Sequence, residues 1–425
     1  MKVLIVGGGG REHAIAAKLA ESPEISKLWC APGNGGIAAL AECVPIAATE
    51  VEKLADWAQE NQMDYVVVAP DDPLCLGLVD LLEGKGIPAF GPNKAAARIE
   101  GSKVFAKKLM ELNHIPTASC AVFGDMAKAL SHIAESPVPL VVKADGLALG
   151  KGVIICQTRA EAAGAVRDML EKGKFGAAGN RVVIEEFLTG PEVSVLAFTD
   201  GETLVPMVSS MDHKRALDGD KGLNTGGMGA IAPNPYYTDA IAAQCMEQIF
   251  LPTVRAMQAM GNPFKGCLYF GLMLTKDGPK VIEYNCRFGD PEAQAVLPLL
   301  LSDLFSIMRH VSSGTLRQAD VRFSSGASCC VVLAAGGYPL SYEKGKPIKG
   351  LPEAAKLPDT FIFHAGTKKD GRQILTNGGR VLGVTAVADT LPEAVSRAYA
   401  AARTIGFEGA HMRTDIGRKA AGHKE

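Results

Sequence analysis

The ten cysteines of this chain include no C-x-x-C pair, which argues against structural zinc and against a disulfide framework. Most lie on apolar segments, as Cys30, Cys43, Cys156, Cys267, Cys329 and Cys330 do, and read as small buried thiols in a reducing compartment. A strong charge of either sign is also lacking. With 44 Lys and Arg against 46 Asp and Glu the formal net charge is −2, so nucleic acid is not an expected partner. The opening MKVLIVGGGG carries an apolar run too short for a signal peptide or a membrane span, so no membrane partner and a cytoplasmic location are expected. Neither a repeat nor a low-complexity tract occurs. What remains is 425 residues, 47% hydrophobic and 21% charged, the balance of a folded chain with about three domains.

Two familiar phosphate signatures fail on spacing. KVLIVGGGGREHAIAAKLA reads as a buried strand, a glycine turn and a helix, and such a turn points backbone N–H groups at an anion. From Gly7, however, the third glycine of G-x-G-x-x-G falls on Glu12, and from Gly8 on His13. That disfavours a nicotinamide dinucleotide and leaves a phosphorylated small molecule. Further on, PLVVKADGLALGKGVIICQ reads as two strands around a glycine loop, with Lys143 ending the first. It is not a Walker A loop, because three residues separate Gly146 from Gly150 and Gly152 stands where Ser or Thr would hold Mg²⁺.

Alternating strands and helices continue to about residue 92 and imply a mainly parallel open sheet, with ligands at the carboxyl ends of its strands. The glycine turn, Pro32-Gly33-Asn34 and Pro70-Asp71-Asp72-Pro73 all fall at such ends. The strand around Glu185 and Glu186 ends in a Gly-Pro turn. It suits either a hinge pairing with an adenine edge, with Glu192 on ribose hydroxyls, or an edge strand with exposed carboxylates. Residues 209–230 read as a long, charged, glycine-dense loop, the kind that often binds ligands. Within it Asp212 is a better functional candidate than His213, whose cationic neighbours Lys214 and Arg215 disfavour protonation. From about residue 327 the chain becomes strand-rich, and Asn377-Gly378-Gly379 reads as a hairpin turn.

VIEYNCRFGDPE, residues 281–292, organises the rest. On an extended strand Glu283 and Asn285 leave one face together, and a carboxylate with an amide suits a hard cation that keeps water and phosphate in its other positions. Arg287, on the same face, can grip a carboxylate or phosphate. The alternative is an ordinary solvent-facing strand with Arg287 paired to Asp290. SKVFAKKLMEL predicts a lysine-rich helix from about Ser102 to Leu112, and the 281–292 strand pairs with GCLYFGLMLTKDG around Lys276-Asp277-Gly278.

Taken together, GGGGREHA at 7–14, EGSK at 100–103, IPTA at 115–118, VVKADGLALGKGV at 141–153, IEEFL at 184–188, DHKR at 212–215, NTGGMGA at 224–230, VIEYNCRFGDPE at 281–292, and FHAGT with TNGGRVLGVTA at 363–386 resemble the glycinamide ribonucleotide synthetase family of the ATP-grasp superfamily. The resemblance implies a multidomain α/β fold with three parts. These are an N-terminal Rossmann-like substrate domain over 1–100, an ATP-grasp domain over 101–326 with a mobile lid at about 121–190, and a C-terminal domain over 327–425. It implies ATP-dependent ligation of glycine to 5-phosphoribosylamine through glycyl phosphate.

Carried over by residue, Glu283 and Asn285 would hold Mg²⁺ or Mn²⁺, and Lys103 and Lys143 would meet the ATP phosphates. Gly150, Lys151 and Gly152 belong to the covering loop. Glu185, Glu186 and Leu188 would face adenine, and Glu192 ribose. Arg287, Asp212 and Lys143 become the catalytic set, and Lys214 a substrate contact. Gly9, Gly10, Arg11, Gly33 and Asn34 would cradle the ribose phosphate. The partners implied are ATP, glycine and phosphoribosylamine, with transient contact to the enzyme that makes the last. The chain departs from the family in having Ala69-Pro70-Asp71 where G-P-E is usual, and in carrying no carboxylate on the strand from Tyr269 to Leu274. Sibling carboxylate–amine ligases and a non-catalytic nucleotide sensor are the competing readings.

Overall fold

The computed structural model describes residues 1–147, 152–172 and 176–421. Its N-terminal part is a five-stranded parallel sheet ordered Glu42–Cys43, Lys27–Pro32, Lys2–Gly7, Tyr65–Val68, Ala89–Phe90. Val3 to Val6 are fully buried, as a central parallel strand covered on both faces requires. Pairing of Gly7 with Pro32 brings the glycine turn and the Gly33 turn to one end of that sheet.

The next two sheets are antiparallel. One runs Cys120–Phe123, Val182–Glu186, Leu140–Ala144, Val153–Cys156. Val182–Glu186 is therefore an inner strand and not an edge, paired with Cys120–Phe123 on one side and Leu140–Ala144 on the other. The second sheet runs Leu204–Pro206, Glu192–Asp200, Lys265–Thr275, Gly278–Asn285. Its last two strands form the expected hairpin, with a bulge beside Gly271.

The C-terminal sheet runs Met211–Asp212, Gly229–Ala232, Ala327–Ala334, Arg380–Ala388, Thr360–His364. It thus takes two short strands from before residue 327. Two expectations fail in this region. Residues 209–230 are not a structureless loop, since Arg215–Leu217 and Lys221–Asn224 form a small hairpin between the sheet strands. Asn377-Gly378-Gly379 does not turn a hairpin either. Gln373–Thr376 pairs back onto Thr367–Asp370, while Arg380–Ala388 enters the main sheet. The glycines serve a chain crossing instead, because Gly366 and Gly378 pack backbone to backbone with no room for a side chain.

One apolar cluster joins the N-terminal sheet to the Lys265–Asn285 hairpin. A second joins its other face to residues 288–316, and Tyr65 donates to the carbonyl of Met308 (2.8 Å) across that contact. The sheet of residues 120–186 has a cluster of its own, drawn entirely from residues 129–184. Among the described residues no helix is long and apolar enough to cross a membrane.

Candidate active site

A cavity of about 1050 Å³ opens where these sheets meet, and its wall includes Lys103, Lys143, Glu186, Glu192, Glu283 and Arg287. The hairpin bulge sets its floor. Glu283 lies opposite Gly271 and Asn285 opposite Tyr269, and a Cβ at Gly271 would stand only 3.0 Å from Glu283 Cγ. Burial alone would raise the Glu283 pKa. Lys214, Lys143, Lys103 and Arg287 together more than offset it, so the group sits below its ordinary value and stays anionic.

Arg287 is fixed by a residue far away in sequence. Its guanidinium donates to Glu100 Oε1 (2.9 Å), and Glu100 Oε2 accepts the Cys286 amide (2.7 Å). The pairing of Arg287 with Asp290 is not found. Asp290 lies 3.3 Å from Arg380 instead, because the chain turns after Phe288 and carries Asp290 toward the C-terminal sheet. Arg287 also reaches Asn285 Oδ1 (3.4 Å), and its buried Nε has no partner.

At the other wall, Lys103 opens the helix Lys103–Leu112, whose N-cap Ser102 accepts from the Phe105 amide, and Lys103 Nζ donates to the carbonyl of Gly146 (3.1 Å). Lys143 is 5% exposed in its side chain and 2.9 Å from Glu185 Oε2, and it also donates to the carbonyl of Ile282 (3.0 Å). Lys107 lies 3.3 Å from Glu185 Oε1, a charge contact without hydrogen-bond geometry, since that oxygen has no donor. The Glu185 side chain is thus held by two lysines, so only its backbone is left for a base. Glu186 accepts from the Ser119 amide (3.0 Å), which with Lys280 holds its pKa down. Glu192 and Lys214 pair at 2.9 Å, and Lys214 stands 3.8 Å from Glu283. Gly152 and Leu188 line the cavity, whereas Gly150 and Lys151 lie outside the described residues.

The third wall carries Asp212, whose Oδ1 is buried without a hydrogen-bond partner. Burial and the neighbouring Glu292 push its pKa well up, against the pull of Lys214 and Arg380. His213 is structural. Its Nε2 accepts from the Gly417 amide (3.2 Å) while Nδ1 faces the Gly229 carbonyl (3.3 Å), and burial, then Arg413, lowers its pKa to about 4.

Three family models cover the chain almost end to end. The N domain of phosphoribosylglycinamide synthetase matches residues 1–100, its ATP-grasp (A) domain residues 101–293 and its C domain residues 328–419. The chain belongs to the phosphoribosylglycinamide synthetase family. It is 48% identical over 420 residues to a phosphoribosylamine–glycine ligase of Halalkalibacterium halodurans, covering 99% of this chain and 97% of the relative. It is 47% identical over 424 residues to that of Salmonella typhimurium, covering 99% of each. The crystal structure of phosphoribosylamine–glycine ligase from Thermotoga maritima superposes with a TM-score of 0.86 at 34% identity, over 98% of this chain and 100% of that one. Biotin carboxylase from Campylobacter jejuni, at 13% identity and a TM-score of 0.75 over 99% of this chain and 95% of its own, shares the ATP-grasp fold. These matches place the chain among the ATP-dependent, ADP-forming ligases of purine biosynthesis.

For a phosphoribosylglycinamide synthetase, the expected residues divide by where the fold puts them. Asp212, Lys214, Glu283, Asn285 and Arg287 share the cavity with Lys103, Lys143, Gly152, Glu185, Glu186, Leu188 and Glu192, and so does Arg11. Gly9, Gly10, Gly33 and Asn34 are not part of its wall. The Gly9 amide donates to the chain's own Glu12 (2.5 Å). Asn34 is consumed by the backbone, donating to Gly8 O (3.0 Å) and His364 O (2.7 Å) and accepting from the Gly36 and Ile37 amides. Glu100, Glu292 and Arg380, which lie within the quoted motifs EGSK, VIEYNCRFGDPE and TNGGRVLGVTA but carried no expected role, are wall residues, and so is Lys107. Lys107 lies one helical turn after Lys103 on the same face.

The metal expectation can be tested on the donor set. Among the described residues no group of three His, Cys, Asp or Glu side chains could hold an ion. A single carboxylate and a single amide two residues apart fit a hard divalent cation whose remaining ligands are phosphate and water.

Proposed function

We propose that this chain joins glycine to 5-phosphoribosylamine in two steps at this cavity. A glycine carboxylate oxygen attacks the γ-phosphorus of ATP, forming glycyl phosphate through a new O–P bond as the bond from the γ-phosphorus to the bridging oxygen breaks and ADP leaves. The amine nitrogen then attacks the acyl carbon and inorganic phosphate departs with the oxygen it gained. The nitrogen loses a proton, and glycinamide ribonucleotide results. A carboxylate is a poor acyl donor until its oxygen becomes a leaving group, and the protein's work is positioning and neutralising charge. The observation that carries this reading is one cavity with lysines and a hard-cation donor pair on one side, and an unpartnered, buried carboxylate on the other.

Glu283 and Asn285 would hold Mg²⁺ or Mn²⁺, which when bound draws charge from the ATP phosphates. Lys103 and Lys143 oppose the same charge. The backbone beyond Glu185, with Glu186 and Leu188, receives adenine, and Glu192 the ribose, with Lys214 as its counter-ion. Arg287, held by Glu100, steadies the glycyl carboxylate with the donors its protein partners leave free. Asp212 takes the amine end. Of the phosphate cradle, Arg11 is assigned to the ribose phosphate because it reaches the cavity. Gly9, Gly10, Gly33 and Asn34 are assigned to shaping the turn behind it.

Arg287→Ala tests the assignment. It should lower kcat by about 10²–10³ with little change in ATP affinity. Lost ATP binding with surviving glycine turnover would contradict it.

A further inference from the structure

Arg380 comes from the C-terminal sheet, yet its guanidinium lies at the active cavity, 20% exposed. Nη1 donates to the carbonyls of Gly226, Gly227 (3.4 Å) and Asp290 (2.8 Å), and stands 3.3 Å from the Asp290 carboxylate. Tyr338 grips the same loop, its hydroxyl accepting from the Gly226 amide (3.0 Å). The loop leaves no slack. A Cβ at Gly226 would be 3.0 Å from the Arg380 guanidinium carbon. Gly227, at φ +110°, is pressed so closely on Pro291 that a methyl would overlap it and lie 2.6 Å from Asp212 Oδ1.

Two segments distant in sequence, 226–227 and 290–291, are thus clamped by one side chain directly over the carboxylate oxygen that has no donor of its own. The loop and the corner therefore cover Oδ1 and hold the Asp212 carboxyl group from that side, while Asp212 itself lines the cavity. All four contacts converge on Nη1, whose two hydrogens are shared among three carbonyls and a carboxylate.

We propose that Arg380, assisted by Tyr338, is a positioning residue for the amine half of the ligation, setting the loop and the Asp290–Pro291 corner that present Asp212 to the incoming amine. The inference rests on the assignment of Asp212 to that amine. The C-terminal sheet then contributes to the reaction through this contact, without touching ATP.

The test uses the full chain with Arg380→Ala, Arg380→Lys, Tyr338→Phe and, separately, Asp212→Asn. Each is assayed against ATP, glycine and phosphoribosylamine in turn, with the thermal midpoint as a check on folding. Arg380→Ala should lower kcat/KM for glycine and for the amine by about 10²-fold, the cost of misplacing a reacting group by about 1 Å. The KM for ATP should stay within roughly twofold, because no interaction with the nucleotide is removed. Arg380→Lys should recover only part, as its shorter stem does not carry the ammonium to the position of Nη1, and Tyr338→Phe should show a smaller loss of the same kind. If Arg380→Ala does not fold, the other two variants carry the test. An ATP KM that rises in step with the others, or unchanged glycine and amine kinetics, overturns the positioning role. Asp212→Asn with wild-type kinetics would remove the underlying assignment and the proposal with it. Loss in Asp212→Asn but none in the Arg380 and Tyr338 variants would remove the proposal alone.

Discussion

Three histidines are held neutral inside this fold, and two of them, His13 and His213, tie distant segments together. His13 Nδ1 accepts from the His364 amide (2.8 Å), and His213 joins the Asp212 segment to Gly417. Burial lowers all three pKa values, to about 3 for His13, about 4 for His213 and about 4 for His364, helped at His13 by His364 and at His213 by Arg413. Each is about 6.5 in an unfolded chain. A depressed histidine contributes stability that is complete above the unfolded value and is lost as pH falls toward the folded one. Asp212, pushed up by burial and Glu292, acts with the opposite sign, so a variant is needed to isolate one group. His213→Gln should cost more stability at pH 7 than at pH 5, the gap closing by up to about 1.4 kcal/mol per pH unit. Urea unfolding of both proteins at the two pH values measures this. An equal cost at both would mean that His213 is not a buried neutral group.

At the scale of elements, the alternation of VIEYNCR placed Glu283, Asn285 and Arg287 on one face, and the Lys276-Asp277-Gly278 turn announced the hairpin, because both depend only on near neighbours. Contacts that depend on tertiary approach left no such trace. Glu100 pins Arg287 across 187 residues, and Arg380 reaches Gly226 across 154. The segment 209–230 looked like open loop because its glycines and charges mimic one. Its strands exist because Gly229–Ala232 is paired by Ala327–Ala334, a partner almost a hundred residues further on in the chain. Gly227 shows how tightly that segment is specified. Gly227→Ala forces a side chain into a left-handed backbone against Pro291 and Asp212. It should destabilise the protein by about 1–3 kcal/mol and depress ligation further, as read by thermal unfolding and steady-state rates. A variant as stable and active as the parent would contradict the packing described for this loop.

The whole molecule is arranged so that three sheets meet at the cavity, while the fourth element of the site, the sheet of residues 120–186, packs around its own core. Lys143 still ties that sheet to the hairpin, through the carbonyl of Ile282 (3.0 Å). Ligation needs ATP, glycine and amine to converge at one place, and the geometry offers one. The most direct measurement is therefore phosphate release from ATP with a divalent cation and phosphoribosylamine generated in place, comparing glycine, alanine and no amino acid, with product mass determined. Release that requires both glycine and phosphoribosylamine, with product at the mass of glycinamide ribonucleotide, is the predicted result. Release that proceeds without them, or with a different acid and amine, would contradict the account.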